Sequence, residues 1–303
     1  MFGVVKHILP ETTLNNLQLT KKDGFIFSKK EKYHTRVYGI ECEIMFDISP
    51  KKARSVTRFL RNSYNWGGRD FVDILNYFVF TLQETQKFLM KVEIDAGNLE
   101  FVTYPSSLNS LKIQVREISI IISRLMDMGF NPNHYLSGFH VNINRFSLGK
   151  EVEEQKETFK KMLYFLYLNW EFTNSISRRL NSAQRRSDLL FLMGDLVGDL
   201  TSEEKAISFY KKTESLIRAL GTHDYHQFLG FSVNKTNVDV IECTIFASSN
   251  RESVMLTYIE FIDCLITFCY EKDIKSLTIS QFNEYVIEKQ AKYINLYLTI
   301  NPG

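Results

Sequence analysis

A chain of 303 residues is longer than an average domain but within reach of one α/β or β-rich enzyme fold, so it reads as one large domain or two modest ones. Its 44% apolar and 14% aromatic residues can fill a large core, which excludes wholesale disorder. With 37 Lys plus Arg against 35 Asp plus Glu, the net charge of +2 gives no broad cationic field for nucleic acid or an acidic membrane.

The opening MFGVVKHILPETT has neither the basic head nor the long apolar run of a secretory signal. The basic stretch KKDGFIFSKKEKYHTR, residues 21–36, reads as an irregular arm or edge hairpin with a solvated surface. Short, alternating, β-branched or aromatic segments predict strands over 37–46, 91–94, 99–104, 137–145 and 238–246. Apolar residues at three- and four-residue spacing predict helices over 50–61, 70–88, 107–128, 151–180, 202–220 and 251–271. Residues 280–303 read as one further helix and a tail. The longest apolar runs, 162–170 and 255–270, are respectively too short for a membrane span and interrupted by Glu260 and Asp263. Cys42, Cys243, Cys264 and Cys269 form no CxxC pair, which argues against a zinc site or a disulfide framework. The expectation is a cytoplasmic protein with no membrane partner.

Strand parity carries the functional argument, because alternate side chains share a face. In residues 39–44, Glu41 and Glu43 oppose Ile40, Cys42 and Ile44; in 140–144, His140, Asn142 and Asn144 oppose Val141 and Ile143. In 240–245, Glu242 and Thr244 oppose Ile241, Cys243 and Ile245. Such alternation predicts an α+β fold, a largely antiparallel sheet with helices on one face and the other face open. If these strands are neighbours, Glu41, Glu43, Glu93, Glu100, Glu242 and His140 converge on the open face. Clustered carboxylates repel one another and suit a divalent cation such as Mg²⁺, although one Glu-x-Glu strand is also what a solvated face looks like. Asp95-Ala96-Gly97-Asn98 fits a hairpin turn. The pairs Arg178-Arg179 and Arg185-Arg186 suit either phosphate or carboxylate recognition or a solvated helix end.

Four patches together resemble the amidoligases of the glutamine synthetase and glutamate–cysteine ligase superfamily of carboxylate–amine ligases. Gly39-Ile40-Glu41-Cys42-Glu43 is similar to the family's Gly-(Ile/Val)-Glu-x-Glu strand, and residues 93–105 to its acidic hairpin with a Ser/Thr-x-Pro ending. Ser137-Gly138-Phe139-His140-Val141-Asn142 is similar to its Gly-x-His-Val-His strand, and Val240-Ile241-Glu242-Cys243-Thr244-Ile245-Phe246 to its Val-Glu-Phe-Arg-Ile-Phe strand. Asn142 stands where the family has a second histidine, and Thr244 where it has an arginine.

The resemblance implies a glutamine synthetase-like catalytic domain over 37–275, preceded by an arm over 1–36 and followed by a helix and tail over 276–303. It implies ATP and Mg²⁺ as cofactors, and carboxylate and amine substrates, a peptide or protein among them. Glu41, Glu43, Glu93, Glu100 and Glu242 would hold metal. His140, Asn142, Arg178 and Arg185 would meet nucleotide, while Asp95, Arg179 and Lys235 would act on the reacting groups, with Lys235 or a paired arginine replacing the cation lost at Thr244. Two other readings stay open: a nucleotide-binding, regulatory or interaction module that has lost turnover, and a two-metal nuclease or phosphotransferase. The second lacks the acidic-x-Lys strand order that such nucleases often use.

Overall fold

A computed structural model describes residues 13–22, 25–28, 36–46, 71–95, 98–127, 130–134, 137–179, 204, 211, 226–228, 230–233 and 239–302. The chain is α+β, with largely antiparallel strand pairing, and divides into two compact units. Unit one comprises Met1–His34, Gly39–Phe139 and Ser248–Glu252; unit two comprises Thr35–Tyr38, His140–Ala247 and Ser253–Gly303.

In unit one, β1 (Leu19–Lys22) and β2 (Phe25–Ser28) form an antiparallel hairpin, so the basic stretch begins as an edge hairpin. Strand β3 (Val37–Phe46) has the predicted bounds, and Ile40, Cys42 and Ile44 are fully buried while Glu41 and Glu43 are half-exposed. Helix α1 (Phe71–Thr85) leads into β4 (Leu89–Asp95), which turns back as β5 (Asn98–Thr103). Strand β5 pairs antiparallel with β4 on one side and with β3 on the other. Past Pro105 the chain forms β6 (Ser106–Ser107), parallel to β2. The Ser107 hydroxyl accepts from the Ser110 amide at 3.3 Å and so satisfies one orphan donor at the start of α2 (Leu108–Asp127). That helix buries Leu111, Val115, Ile118, Ile122 and Leu125, the one-face spacing of an amphipathic helix, before β7 (Phe130–Asn131) pairs with the end of β3.

In unit two, β8 (Gly138–Asn144) precedes α3 (Val152–Leu168) and α4 (Trp170–Ser177). Strands β9 (His226–Phe228), β10 (Phe231–Val233) and β11 (Val240–Ala247) then form an antiparallel set, with β11 next to β8. Helix α5 (Glu252–Glu271) follows, then α6 (Ile279–Glu288) and α7 (Ile294–Ile300). Aromatic rings join the layers: Phe159 of α3 meets Phe231 of β10 edge-on at 5.6 Å, and Tyr258 of α5 stacks on Phe246 of β11 at 4.5 Å.

The pattern read as one helix over 151–180 is two helices, because Asn169 leaves the helical conformation at φ −110°, ψ 42°, with its side chain donating to the Phe165 carbonyl. The C-terminal segment likewise holds two helices in place of one helix and a tail. The helices expected over 50–61 and 202–220 lie outside the described residues, apart from Glu204 and Lys211, each helical.

Helix α5 alone among the described helices has the length and apolarity for a membrane span, and it is mostly buried as a core helix. Its two buried acidic residues, Glu260 and Asp263, are both partnered. Glu260 accepts the Asn295 and Leu296 amides at 2.8 and 2.9 Å and so caps α7, while Asp263 accepts the Tyr38 and Tyr293 hydroxyls, each at 2.7 Å, with Lys292 Nζ also at 2.7 Å. Burial opposes ionisation of Asp263, yet Lys292 and the two tyrosines outweigh it and hold the carboxyl below its usual range.

Candidate functional site

Unit one presents a row of carboxylates that register dictates. Antiparallel pairing sets Glu43 of β3 directly opposite Glu100 of β5, and Glu100 directly opposite Glu93 of β4. Three glutamates thus lie side by side across three strands, and like charges so placed repel. Glu41, two residues before Glu43, hydrogen-bonds Glu100. Partial burial first, then the charge of Glu41 and that hydrogen bond, then the charges of Glu93 and Glu43, push the Glu100 carboxyl up to about 8. Crowded like charge and partial burial thus oppose full ionisation of Glu100. Lys91 Nζ pairs with Glu93 on the same strand. Asp95 closes β4 with the same parity as Lys91 and Glu93.

As a chemical class, all-oxygen donors suit hard cations better than soft ones.

Unit two presents a different chemistry, in which a histidine is held between an arginine and a carboxylate. His140 of β8 is buried. Its Nε2 lies 3.3 Å from Arg179 Nη1, and its Nδ1 lies 2.9 Å from Glu242 Oε1. Guanidinium can only donate, so Nε2 is the accepting nitrogen and the ring proton sits on Nδ1, facing the carboxylate. The other oxygen of Glu242 accepts the Ser232 hydroxyl at 2.7 Å. Arg179 also donates to the Phe246 carbonyl at 3.5 Å. It reaches these partners because Arg178, the C-cap of α4, takes the left-handed conformation at φ 62° and turns the chain. Arg178 itself is exposed.

Thr244, where the family pattern has arginine, is buried, and both its amide and its hydroxyl donate to the Gly230 carbonyl, at 2.7 and 3.3 Å. Gly230 has φ 80°, a conformation glycine adopts without the Cβ penalty, and it turns the chain into β10. Asn142 is half-buried on β8, two residues from His140.

Of the residues singled out in the sequence, Glu41, Glu43, Glu93 and Glu100 come together in unit one, and His140, Glu242 and Arg179 in unit two. Lys235 and Arg185 lie outside the described residues. Sequence reasoning missed two members. Ser232 sits opposite Glu242 in the β10–β11 register, which local patterning cannot reveal. Lys91 was visible as the odd-numbered neighbour of Glu93 on one strand face. No family model, no curated protein and no solved structure matches the chain.

Proposed function

We propose that the chain is an ATP- and Mg²⁺-dependent carboxylate–amine ligase of the glutamine synthetase-like kind, forming an amide or peptide bond through an acyl phosphate in the cytoplasm. The observation that carries this reading is the cross-strand row Glu43–Glu100–Glu93 with Glu41 hydrogen-bonded to its middle member. A purely solvated strand face gains nothing from a carboxyl pushed toward neutrality, whereas a cation-holding face accepts that repulsion until the ion arrives. The four buried thiols, Cys42, Cys243, Cys264 and Cys269, accord with a reducing compartment.

Mg²⁺, when bound, would neutralise phosphate oxygens as negative charge shifts between ATP and the acyl donor. Glu41, Glu43, Glu93 and Glu100 would hold it. Arg179, placed by its contacts to His140 and the Phe246 carbonyl, would present to phosphate a planar fork suited to that shape. His140, held by Glu242, which itself accepts the Ser232 hydroxyl, keeps that guanidinium in place. Asp95 takes the proton that the amine releases. In balanced form, a carboxylate oxygen bonds to the γ-phosphorus and ADP departs; the amine nitrogen then bonds to the carbonyl carbon and inorganic phosphate departs with the former carboxylate oxygen.

A second reading, a nucleotide-binding regulatory module that has lost turnover, is favoured by one observation. Thr244 is committed to the Gly230 carbonyl and offers phosphate no positive charge. The two readings part in one experiment. The protein is incubated with ATP, MgCl₂, and pools of carboxylic acids carrying heavy oxygen, with and without amines. The ligase reading expects amine-stimulated release of phosphate containing one heavy oxygen. ATP binding without such release selects the regulatory module, and no Mg²⁺-dependent ATP binding removes both.

A further inference from the structure

In unit two, side chains from β10, β11, β8 and the end of α4 are joined in series. Ser232 of β10 stands directly opposite Glu242 of β11, which puts the two side chains on one face and within reach of each other. The Ser232 hydroxyl donates to Glu242 Oε2 at 2.7 Å, Glu242 Oε1 lies 2.9 Å from His140 Nδ1 on β8, and His140 Nε2 lies 3.3 Å from Arg179 Nη1.

Each link fixes the next for a chemical reason. A carboxylate only accepts, so serine must donate to it and the imidazole must turn an N–H toward it. With the proton on Nδ1, Nε2 keeps its lone pair, and only that tautomer accepts from a guanidinium, which has donors alone. The choice turns on Glu242. Its side chain is 31% exposed and rich in rotamers, so one oxygen stays aimed at Nδ1 only while the other is held. Ser232, 4% exposed, supplies that hold from a paired strand.

At the far end of the series the backbone is already set, because Arg178 forms an antiparallel bridge to Phe246 on β11. The aim of the Arg179 guanidinium is left to side-chain contacts. Of those to His140 Nε2 and the Phe246 carbonyl, the second is the longer, at 3.5 Å, the outer limit of a hydrogen bond.

We propose that Ser232 is a positioning residue for Arg179: its hydroxyl fixes the Glu242 carboxylate, which selects the Nδ1–H tautomer of His140, whose Nε2 holds the guanidinium that meets phosphate. The meeting with phosphate rests on the ligase reading; the tautomer and the hold on Arg179 do not. Ser232 acts on Arg179 only through two other side chains.

The test uses the full chain with histidine and arginine nitrogens labelled, the His140 and Arg179 signals being assigned by their loss in His140→Gln and Arg179→Lys. At pH 8, nitrogen–proton correlation spectra should show the wild-type His140 ring protonated on Nδ1 and separate Nη signals for Arg179. Ser232→Ala should raise the Nε2–H share of His140 about fivefold, the scale of one lost hydrogen bond, and average the Arg179 Nη signals. Ser232→Thr, which keeps the hydroxyl and suits a strand, should restore both. Calorimetry should show Ser232→Ala weakening Mg²⁺–ATP binding by about the same factor, and by nothing further in the Arg179→Ala background, because residues acting in series are non-additive. A merely structural serine would lower the melting midpoint and leave the tautomer as it is. A wild-type His140 protonated on Nε2 overturns the proposal, and that measurement needs no variant to fold. So does an unchanged tautomer in folded Ser232→Ala, or an equal loss of affinity with and without Arg179. The expected tautomer shift in a protein whose wild type binds no nucleotide would overturn the ligase reading alone.

Discussion

Glu100→Gln should stabilise the protein at high pH and leave its stability unchanged at low pH. The Glu100 carboxyl is raised from 4.5 to about 8 by burial and by Glu41, Glu93 and Glu43. A raised folded-state value means the native state binds more protons than the unfolded chain between those two pH values, so stability is fully present below about 4.5 and is lost as pH rises toward about 8. At about 1.36 kcal/mol per unit, the whole shift corresponds to a ceiling of about 5 kcal/mol. Water on the open strand face screens these charges, and roughly half that, about 2 kcal/mol, is the expected gain on replacing the charge with an amide. At about 2 °C per kcal/mol for a chain of this length, the midpoint should rise about 4 °C at pH 9. At pH 4 the protonated wild-type carboxyl and the amide are near equivalents, and the two melting curves should coincide. Thermal denaturation followed by circular dichroism in EDTA, at both pH values, measures the difference. Equal stabilisation at pH 4 and pH 9 would refute the reasoning, since it would locate the effect in packing and not in charge.

The same row gives a ligand-side expectation: Glu43→Gln should weaken calorimetric Mg²⁺ and Mg²⁺–ATP binding about tenfold, near 1.4 kcal/mol, while the melting midpoint holds or rises slightly. Unchanged affinity would reduce Glu43 to a solvated strand residue. Millimolar Mg²⁺ with ATP should raise the wild-type midpoint by mass action, and no shift in folded protein would count against a nucleotide site. In unit two, Asp263→Asn leaves the buried hydroxyls of Tyr38 and Tyr293 without a charged acceptor and should cost on the order of 3 kcal/mol in urea denaturation. A cost under about 0.5 kcal/mol would show the network to be incidental. Because the Asp263 carboxyl is held below its usual value, its contribution should persist at neutral pH and fade only as pH falls below about 4.

Strand parity was legible because it is local. Ile40, Cys42 and Ile44 are buried as the alternation of β3 requires, and the bounds of β3 follow from the same pattern. The Asp95–Asn98 turn chemistry fixed the hairpin and, through it, Glu93 opposite Glu100. Glu43 opposite Glu100 joins residues far apart in the chain and could be expected only as a face, not as a register. The break at Asn169 was hidden because apolar spacing continues through it, with Phe165 and Phe172 of the two helices still meeting edge-on at 6.3 Å. The separation of α6 from α7 was hidden for a different reason. It depends on Glu260 capping the Asn295 and Leu296 amides and on Tyr293 reaching Asp263, partners about thirty residues upstream. Glu260 and Asp263 read in the sequence only as obstacles to a membrane span.

The consecutive arginines 178 and 179 could not be told apart by sequence, and the left-handed conformation of Arg178 at the end of α4 makes them different. Arg178 caps α4 and is exposed, while Arg179 lies 3.3 Å from His140 Nε2 and reaches the Phe246 carbonyl on β11, the strand that carries Thr244. If Arg179 supplies the cation that Thr244 lacks, Arg179→Ala should weaken Mg²⁺–ATP binding at least tenfold and lower phosphate release by about a hundredfold, the scale of one charged contact to the transition state. Arg178→Ala should do neither. Thr244→Arg should not rescue Arg179→Ala: position 244 is buried, its hydroxyl already donates to the Gly230 carbonyl, and a guanidinium there would overpack the chain at Gly230, costing about 1–3 kcal/mol. Calorimetry, phosphate release and circular dichroism on the wild type, both alanine variants and the double variant decide the matter. Wild-type ATP affinity in Arg179→Ala, or recovery of binding in the double variant, would show that the guanidinium beside His140 is a structural clasp and that the lost charge is not supplied from the end of α4.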